Sequence, residues 1–403
     1  MKFHHPRHTP DSSGTLHQWD NETANCGMGA IANLRGEKSY DILDYALTSV
    51  CNMTHRGAVD ADMKTGDGSG ILCQIPRPLF AKAAGKFGYT GDENDLGVGV
   101  FFLPEGIAAN IKSFTESVLT RRNIQIVGWR EVPVNPEELG NLARLTQPEI
   151  THLLVSRPAD VDADHFERLL YLVRREVERE FENEAAFYIP TLSSRLISYK
   201  GLAMPATLRA FYSDLQDSDF QTGISLYHQR FSTNTFPAWP LGQPFRMMCH
   251  NGEINTVRGN RNWMRSREEF FSSELWGDDI DLVKNLMHDE ESDSASLDHA
   301  LELLVLSGRR LEHAMRMLVP PAFRHDPDIT EEERAFYNYI RSFSEPWDGP
   351  AGLCFTDGRT LCASLDRNGL RPSRFTLTED GLLYIGSESG AVILPDEKII
   401  RRG

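Results

Sequence analysis

Four short segments gather polar side chains between apolar runs, and their residue types are ones that carry chemistry. The first is Asn25-Cys26-Gly27, where a polar leader of 25 residues gives way to the apolar run Cys-Gly-Met-Gly-Ala-Ile-Ala. Cleavage after Asn25 would leave Cys26 with both a thiol and a free α-amine. The second is His55-Arg56-Gly57-Ala58, running into the Gly-rich loop Thr65–Gly70. The third joins His228-Gln229-Arg230-Phe231-Ser232-Thr233-Asn234 to His250-Asn251-Gly252-Glu253-Ile254-Asn255, and the fourth is Glu291-Ser292-Asp293-Ser294. Each alone has a plain structural reading. Arg56 could serve an ion pair, Asn251-Gly252 a two-residue hairpin turn, and Ser292 with Asp293 a helix cap. The Gly66–Gly70 stretch lacks the Lys-Ser/Thr ending of a phosphate-binding loop.

The elements that must position these residues follow from periodicity. Strands are expected at 26–34, 70–75, 97–103, 124–132, 150–156, 196–199, 223–231 and 245–249. Further strands are expected at 351–355, 361–365, 374–377, 382–385 and 392–394. Helices are expected at 39–53, 107–119, 163–182, from 254, at 294–306, 310–318 and 331–343. Strands and helices come in mixed blocks without regular βαβ alternation, which favours a layered α+β arrangement over a doubly wound parallel sheet.

Composition narrows the function. The 403 residues carry 42 Lys+Arg against 58 Asp+Glu, a formal charge of −16. Such a balance attracts neither a phosphate backbone nor an anionic lipid surface, so no nucleic-acid or membrane partner is expected. No apolar run approaches the ~20 residues of a membrane helix. The six cysteines form no C-x-x-C pair and no zinc spacing, so five are read as structural and Cys26 as different. His4, His5 and His8 in the leader have no accompanying ligand set. The leader lacks the apolar centre of a secretory signal and carries Asp11, Asp20 and Glu22, unlike a transit peptide, so a cytoplasmic location is expected.

Together the four segments resemble the class II (N-terminal nucleophile) glutamine amidotransferases, and more closely the glutaminase region of glutamate synthase large subunits. The resemblance rests on the runs HRGAVDADMKTGDGSGILCQIP, YHQRFSTNTFPAWPLGQPFRMMCHNGEINTVRGNRNWM and PWDGPAGLCFTDGRTLCASLDRNGLRPSRF. It implies a four-layer αββα sandwich with family-specific insertions. It also implies a propeptide over residues 1–25 and an amidotransferase domain over 26–403 whose C-terminal edge is incomplete.

By the same resemblance, Cys26 attacks the side-chain amide of L-glutamine, and its own α-amine holds the proton. Ordinary values of ~7.7–8.0 for the amine and ~8.5 for the thiol would make that transfer nearly isoenergetic. Asn251 and Gly252 are the implied oxyanion hole, Arg230 the partner of the substrate carboxylate, and Asp293 that of its ammonium. Arg56 supports the site, while Phe231 and Thr233 shape the pocket. The products are L-glutamate and ammonia, formed through a thioester. The ammonia is intended for a synthase domain, beyond this segment, that aminates 2-oxoglutarate, with a reductase subunit as a further partner. FMN and an iron–sulfur cluster belong to that larger enzyme, and no cofactor or metal is expected in this segment. The alternatives are a module switched on by its partner, or an unprocessed, non-catalytic fragment.

Overall fold

The computed structural model describes residues 26–57, 62, 64–230 and 238–403. Asn25 with the rest of the leader, Ala58, Phe231, Thr233 and Asn234 lie outside the described residues. Three antiparallel sheets organise the chain. The largest joins β1 (Gly27–Asn33), β2 (Thr65–Gln74), β7 (Leu196–Ala203), β8 (Ile224–Gln229), β12 (Arg374–Thr378), β13 (Leu382–Gly386) and β14 (Ile399–Arg402). Their order is β14-β12-β13-β1-β8-β2-β7, so the strand that begins one residue after Cys26 is central. A second sheet, of three strands, runs β11 (Leu361–Leu365), β10 (Ala351–Thr356), β9 (Met248–Gly252). The third is made of β4 (Gln125–Glu131), β5 (Glu149–Ser156), β3 (Leu96–Leu103) and β6 (Tyr188–Ser193), in that order.

Alternation along the strands decides which faces meet. Met28, Ala30 and Ala32 of β1 join Ile224 and Leu226 of β8 in one cluster, together with Cys249 of β9 and Cys354 of β10. That cluster is the seam between the large sheet and the three-stranded one. The opposite faces take helices. Ile31, Ile71, Ile197 and Tyr227 pack under α1 (Tyr40–Asn52), α2 (Arg77–Gly85) and α6 (Pro205–Phe211). Met248, Leu353 and Phe355 pack under α8 (Asp293–Leu306) and α9 (Leu311–Leu318). The order helix, sheet, sheet, helix is the four-layer αββα sandwich expected. The third sheet is the insertion, closed on one face by α3 (Ala108–Arg121) and α5 (Ala163–Glu180). Each Leu, Ile or Phe buried at these faces is worth about 1.5–3 kcal/mol, which keeps the layers in register. The remaining helices are α4 (Asn141–Leu145), α7 (Val257–Arg267) and α10 (Glu331–Ile340).

Four expectations change. The Gly-rich stretch 65–70 is not a loop but the first half of β2, with a register irregularity between Thr65 and Ser69 that absorbs its glycines. The strand expected at 245–249 lies at 248–252: the carboxylate of Asp298 takes the N–H groups of Arg246 and Met247 ahead of the strand, and that of Met248, its first paired residue, on the free edge. Residues 392–394 are not a strand, with Ile393 87% exposed, and the sheet is closed by β14 instead. Asn251-Gly252 is not a hairpin turn, because both residues pair with β10.

Candidate active site

Cys26 stands just ahead of β1 and is buried, 7% exposed. Gly27 follows because its α-carbon faces Met53, where a Cβ would come within 3.0 Å of the Met53 side chain. The strand is tied at its start, since Ser387 Oγ accepts from the Met28 N–H at 3.2 Å and the Ser387 N–H donates to the Met28 carbonyl at 2.9 Å. Burial pushes the Cys26 thiol up to about 11. Arg230 and then Arg371 oppose the rise, and Asp293 adds to it. Arg230, Arg371 and Asp293 are therefore the charges that the nucleophile feels.

Arg230 arrives by leaving its strand. Gln229 pairs with Gly27, but Arg230 has φ +87°, a left-handed backbone uncommon for a side chain of its size. Its N–H donates to the Gly68 carbonyl at 2.8 Å, and its Nε lies 3.5 Å from Asp67 Oδ2. The irregular stretch of β2 thus presents two groups that hold this arginine.

Asn251 and Gly252 end β9, the edge strand of its sheet. Glu253 N–H donates to the Pro350 carbonyl and Thr356 N–H to the Met247 carbonyl, which fixes the alternation of the β9–β10 ladder. Residues 247, 249, 251 and 253 therefore face β10, while 248, 250 and 252 point their N–H groups off the free edge. Along that edge Asp298 Oδ1 takes Met248 N–H at 3.1 Å, and Gln243 Oε1 takes His250 N–H at 2.9 Å. His228 Nε2–H donates to the His250 carbonyl at 3.0 Å. The next outward donor is Gly252 N–H, for which the structure gives no partner among the described residues. Only glycine fits there: φ is +127°, and a Cβ would lie 1.7 Å from the Pro350 carbonyl oxygen. Asn251 is 1% exposed, and its Oδ1 has no partner among the described residues.

Asp293 opens α8 behind Ser292, whose side chain caps the helix by accepting from Ala295 N–H. Asp293 Oδ2 accepts from Ile254 N–H at 2.6 Å, and Oδ1 from Ser294 N–H at 2.8 Å. Ser294 Oγ in turn meets His250 Nδ1 at 2.7 Å. The capping reading is thus met by Ser292, while the Asp293 carboxylate is held in place by Ile254 and Ser294. His228 is pushed down to about 3 and His250 is also lowered, in both cases first by burial, so both rings are neutral.

This edge of donors beside a buried thiol, with an arginine and an aspartate nearby, suits attack on an amide. The family model for class-II glutamine amidotransferases matches residues 26–403. The chain belongs to that family. The ferredoxin-dependent glutamate synthase of Pyropia yezoensis is 42% identical over 97% of this chain and 26% of its own length. The glutamate synthase [NADPH] large chains of Azospirillum brasilense and Bacillus subtilis (strain 168) are 41% and 40% identical over 94% and 93% of this chain. The chain spans about a quarter of the length of these relatives. A glutamine phosphoribosylpyrophosphate amidotransferase structure from B. subtilis is 13% identical over 76% of this chain and 48% of its own, with a TM-score of 0.29; no residue is carried across from it.

Of the residues expected in this site, the structure brings Arg230 and Asp293 within electrostatic reach of Cys26 and sets Asn251-Gly252 on the facing sheet. Arg56 sits one step further out. It pairs with Glu388, which His55 also contacts at 3.0 Å, and it reaches β1 through Ser387. Phe231 and Thr233 lie outside the described residues. Sequence reasoning missed Arg371, Asp67 and Ser387. The first two lie within or beside motifs already singled out, Asn-Gly-Leu-Arg-Pro and Thr65–Gly70, but nothing in the spacing says which strand they will meet. Among the described residues no cluster of three or more His, Cys, Asp or Glu could hold a metal, and no helix is long and apolar enough to cross a membrane.

Proposed function

We propose that this chain hydrolyses L-glutamine to L-glutamate and ammonia through a γ-glutamyl thioester on Cys26, as the glutaminase portion of a glutamate synthase in the cytoplasm. The observation that carries the reading is the outward Gly252 N–H, left over at the end of an otherwise satisfied strand edge and next to Asn251. In this reading residues 1–25 are removed, which turns the Cys26 nitrogen from an amide into an amine. The family match beginning at residue 26 supports that boundary.

The proton of the thiol passes to the α-amine as sulfur bonds to the amide carbon. Asn251 Nδ2 and Gly252 N–H donate to the oxyanion, and Arg230 and Asp293 hold the substrate carboxylate and ammonium. Collapse expels ammonia, which takes the proton from the α-ammonium. Water, deprotonated by the same amine, then attacks the thioester, giving glutamate and restoring the thiol. Burial raises the thiol and so works against the nearly isoenergetic transfer expected from ordinary pKa values. The positive charges of Arg230, Arg371 and the new α-ammonium act against that cost. The ammonia would feed the 2-oxoglutarate-aminating portion of a longer enzyme, where FMN and an iron–sulfur cluster belong.

A second reading, a module that stays slow until a synthase partner engages it, is favoured by the burial of Cys26 at 7% exposure. Intact-mass analysis of the purified chain, paired with an ammonia-release assay on glutamine, tests the proposal. Loss of residues 1–25 should accompany turnover. A fully processed chain with neither thioester nor turnover, even with the synthase portion supplied, would overturn it.

A further inference from the structure

The turn after β11 delivers a second cation to the oxyanion side of the site. Asp366 organises that turn: its carboxylate accepts from Asn368 N–H at 2.8 Å and Leu370 N–H at 3.0 Å, and Gly369 turns with φ +62°. The same carboxylate accepts from Ala351 N–H at 2.9 Å, and Ala351 is the residue opposite Gly252. The next residue along, Arg371, is thereby laid across the end of the β9–β10 pair. Its Cβ comes 3.5 Å from where a Cβ on Gly352 would lie, and its Nε 3.1 Å from the same point on Gly252. Gly352 pairs with Asn251, and a Cβ on it would also lie 3.0 Å from Met28 Cε of β1, so the arginine crosses from β10, at a point packed against β1, to the end of β9 where the two implied donors stand.

We propose that Arg371 is a positioning and charge-stabilising residue of this site, its guanidinium backing the Gly252 end of the oxyanion hole, with Asp366 fixing the turn that holds it there. The inference rests on the glutaminase reading and deepens it. Negative charge appears twice in the reaction, first on sulfur and then on the tetrahedral oxygen, and a fixed cation between the two places favours both without following the proton. The direction agrees with Arg371 being the second cation that lowers the thiol. Arg230 has another duty, at the substrate carboxylate, so its loss should raise KM. Loss of Arg371 should chiefly lower kcat.

Arg371→Gln and Arg371→Lys in the full chain test this, with two readouts. The first is the pH dependence of Cys26 alkylation by iodoacetamide, with Cys26→Ala as the blank. The second is the split between kcat and KM for glutamine. Arg371→Gln should move the alkylation midpoint to higher pH and lower kcat by about tenfold or more, with KM within about twofold. Arg371→Lys should recover part of both. Asp366→Asn should resemble a weaker Arg371→Gln. An alkylation profile for Arg371→Gln superimposed on that of the parent would overturn the proposal, as would equal damage in the Lys and Gln variants. If the processed parent releases no ammonia even with the synthase portion supplied, the proposed function fails, while the alkylation arm still reports on Arg371.

Discussion

Gly252 stands opposite Ala351 at a position where the two strands exchange no backbone hydrogen bonds, so its N–H points off the free edge of the sheet. The neighbours Met248 and His250 use the same edge, and their outward groups are all taken. The donor that we propose for the oxyanion is thus made by register, and the amide of Asn251 precedes it.

Removing the Asn251 amide should cost transition-state binding only. We expect Asn251→Ala to lower kcat for glutamine about 10²–10³-fold with KM little changed, as for other lost oxyanion donors. Steady-state kinetics on the processed chain check this. Gly252→Ala should be worse and should also destabilise, because its Cβ would collide with the Pro350 carbonyl at 1.7 Å.

Arg230 offers a contrasting case. A planar fork matches a carboxylate in two places, and a lysine does not. We expect Arg230→Lys to raise KM for glutamine about tenfold or more while the Cys26 thiol keeps a nearby positive charge. Asp67→Asn should give a smaller rise, since Asp67 only holds the arginine, at 3.5 Å. A KM unchanged in Arg230→Lys would remove this residue from substrate binding.

Much of this was legible in the sequence because the chemistry lies in short runs. Cys26, Arg230, Asn251, Gly252 and Asp293 stand out by type, and the strands around them alternate clearly. Other features were not legible, for physical reasons. Glycines at 66 and 68 read as a loop, yet both lie inside β2, where a Cβ on Gly66 would come 3.1 Å from Met204. The helices α2 and α6 were missed because each carries a proline in its first turn, which reads as a break although proline is well placed there. Arg371 had no assignable role, since its meeting with Gly252 depends on a turn tied to Ala351. Such long-range pairings are set by packing, which no local pattern announces.

The clamp beneath β9 can be tested by itself. Asp298 is fully buried on α8, and its carboxylate accepts from the N–H groups of Arg246, Met247 and Met248 at 2.8–3.1 Å. Its neutral amide offers one oxygen in place of two. We expect Asp298→Asn to cost about 1–3 kcal/mol in urea unfolding, the cost of leaving buried donors unmet. It should also lower kcat, because the start of the strand that ends at Gly252 is no longer fixed.

The buried histidines set an acid limit on the fold. His228 and His152 are each pushed down to about 3, first by burial. For His152, Arg130 Nη1 donates to its Nδ1 at 3.0 Å and opposes protonation, while Asp214 favours it. For His228, the His250 carbonyl that accepts from its ring favours protonation, while the charge of Arg230 opposes it. Both folded values lie below the unfolded value of ~6.5, so the unfolded chain binds the protons first. Stability from this source is complete above about pH 6.5 and is lost as pH falls toward 3, by up to about 1.4 kcal/mol per pH unit for each ring. Urea midpoints at pH 7.5, 6.0 and 5.0 should fall in that order. His152→Gln, which removes one titrating ring, should flatten the fall, and a midpoint independent of pH across that window would contradict the buried neutral state.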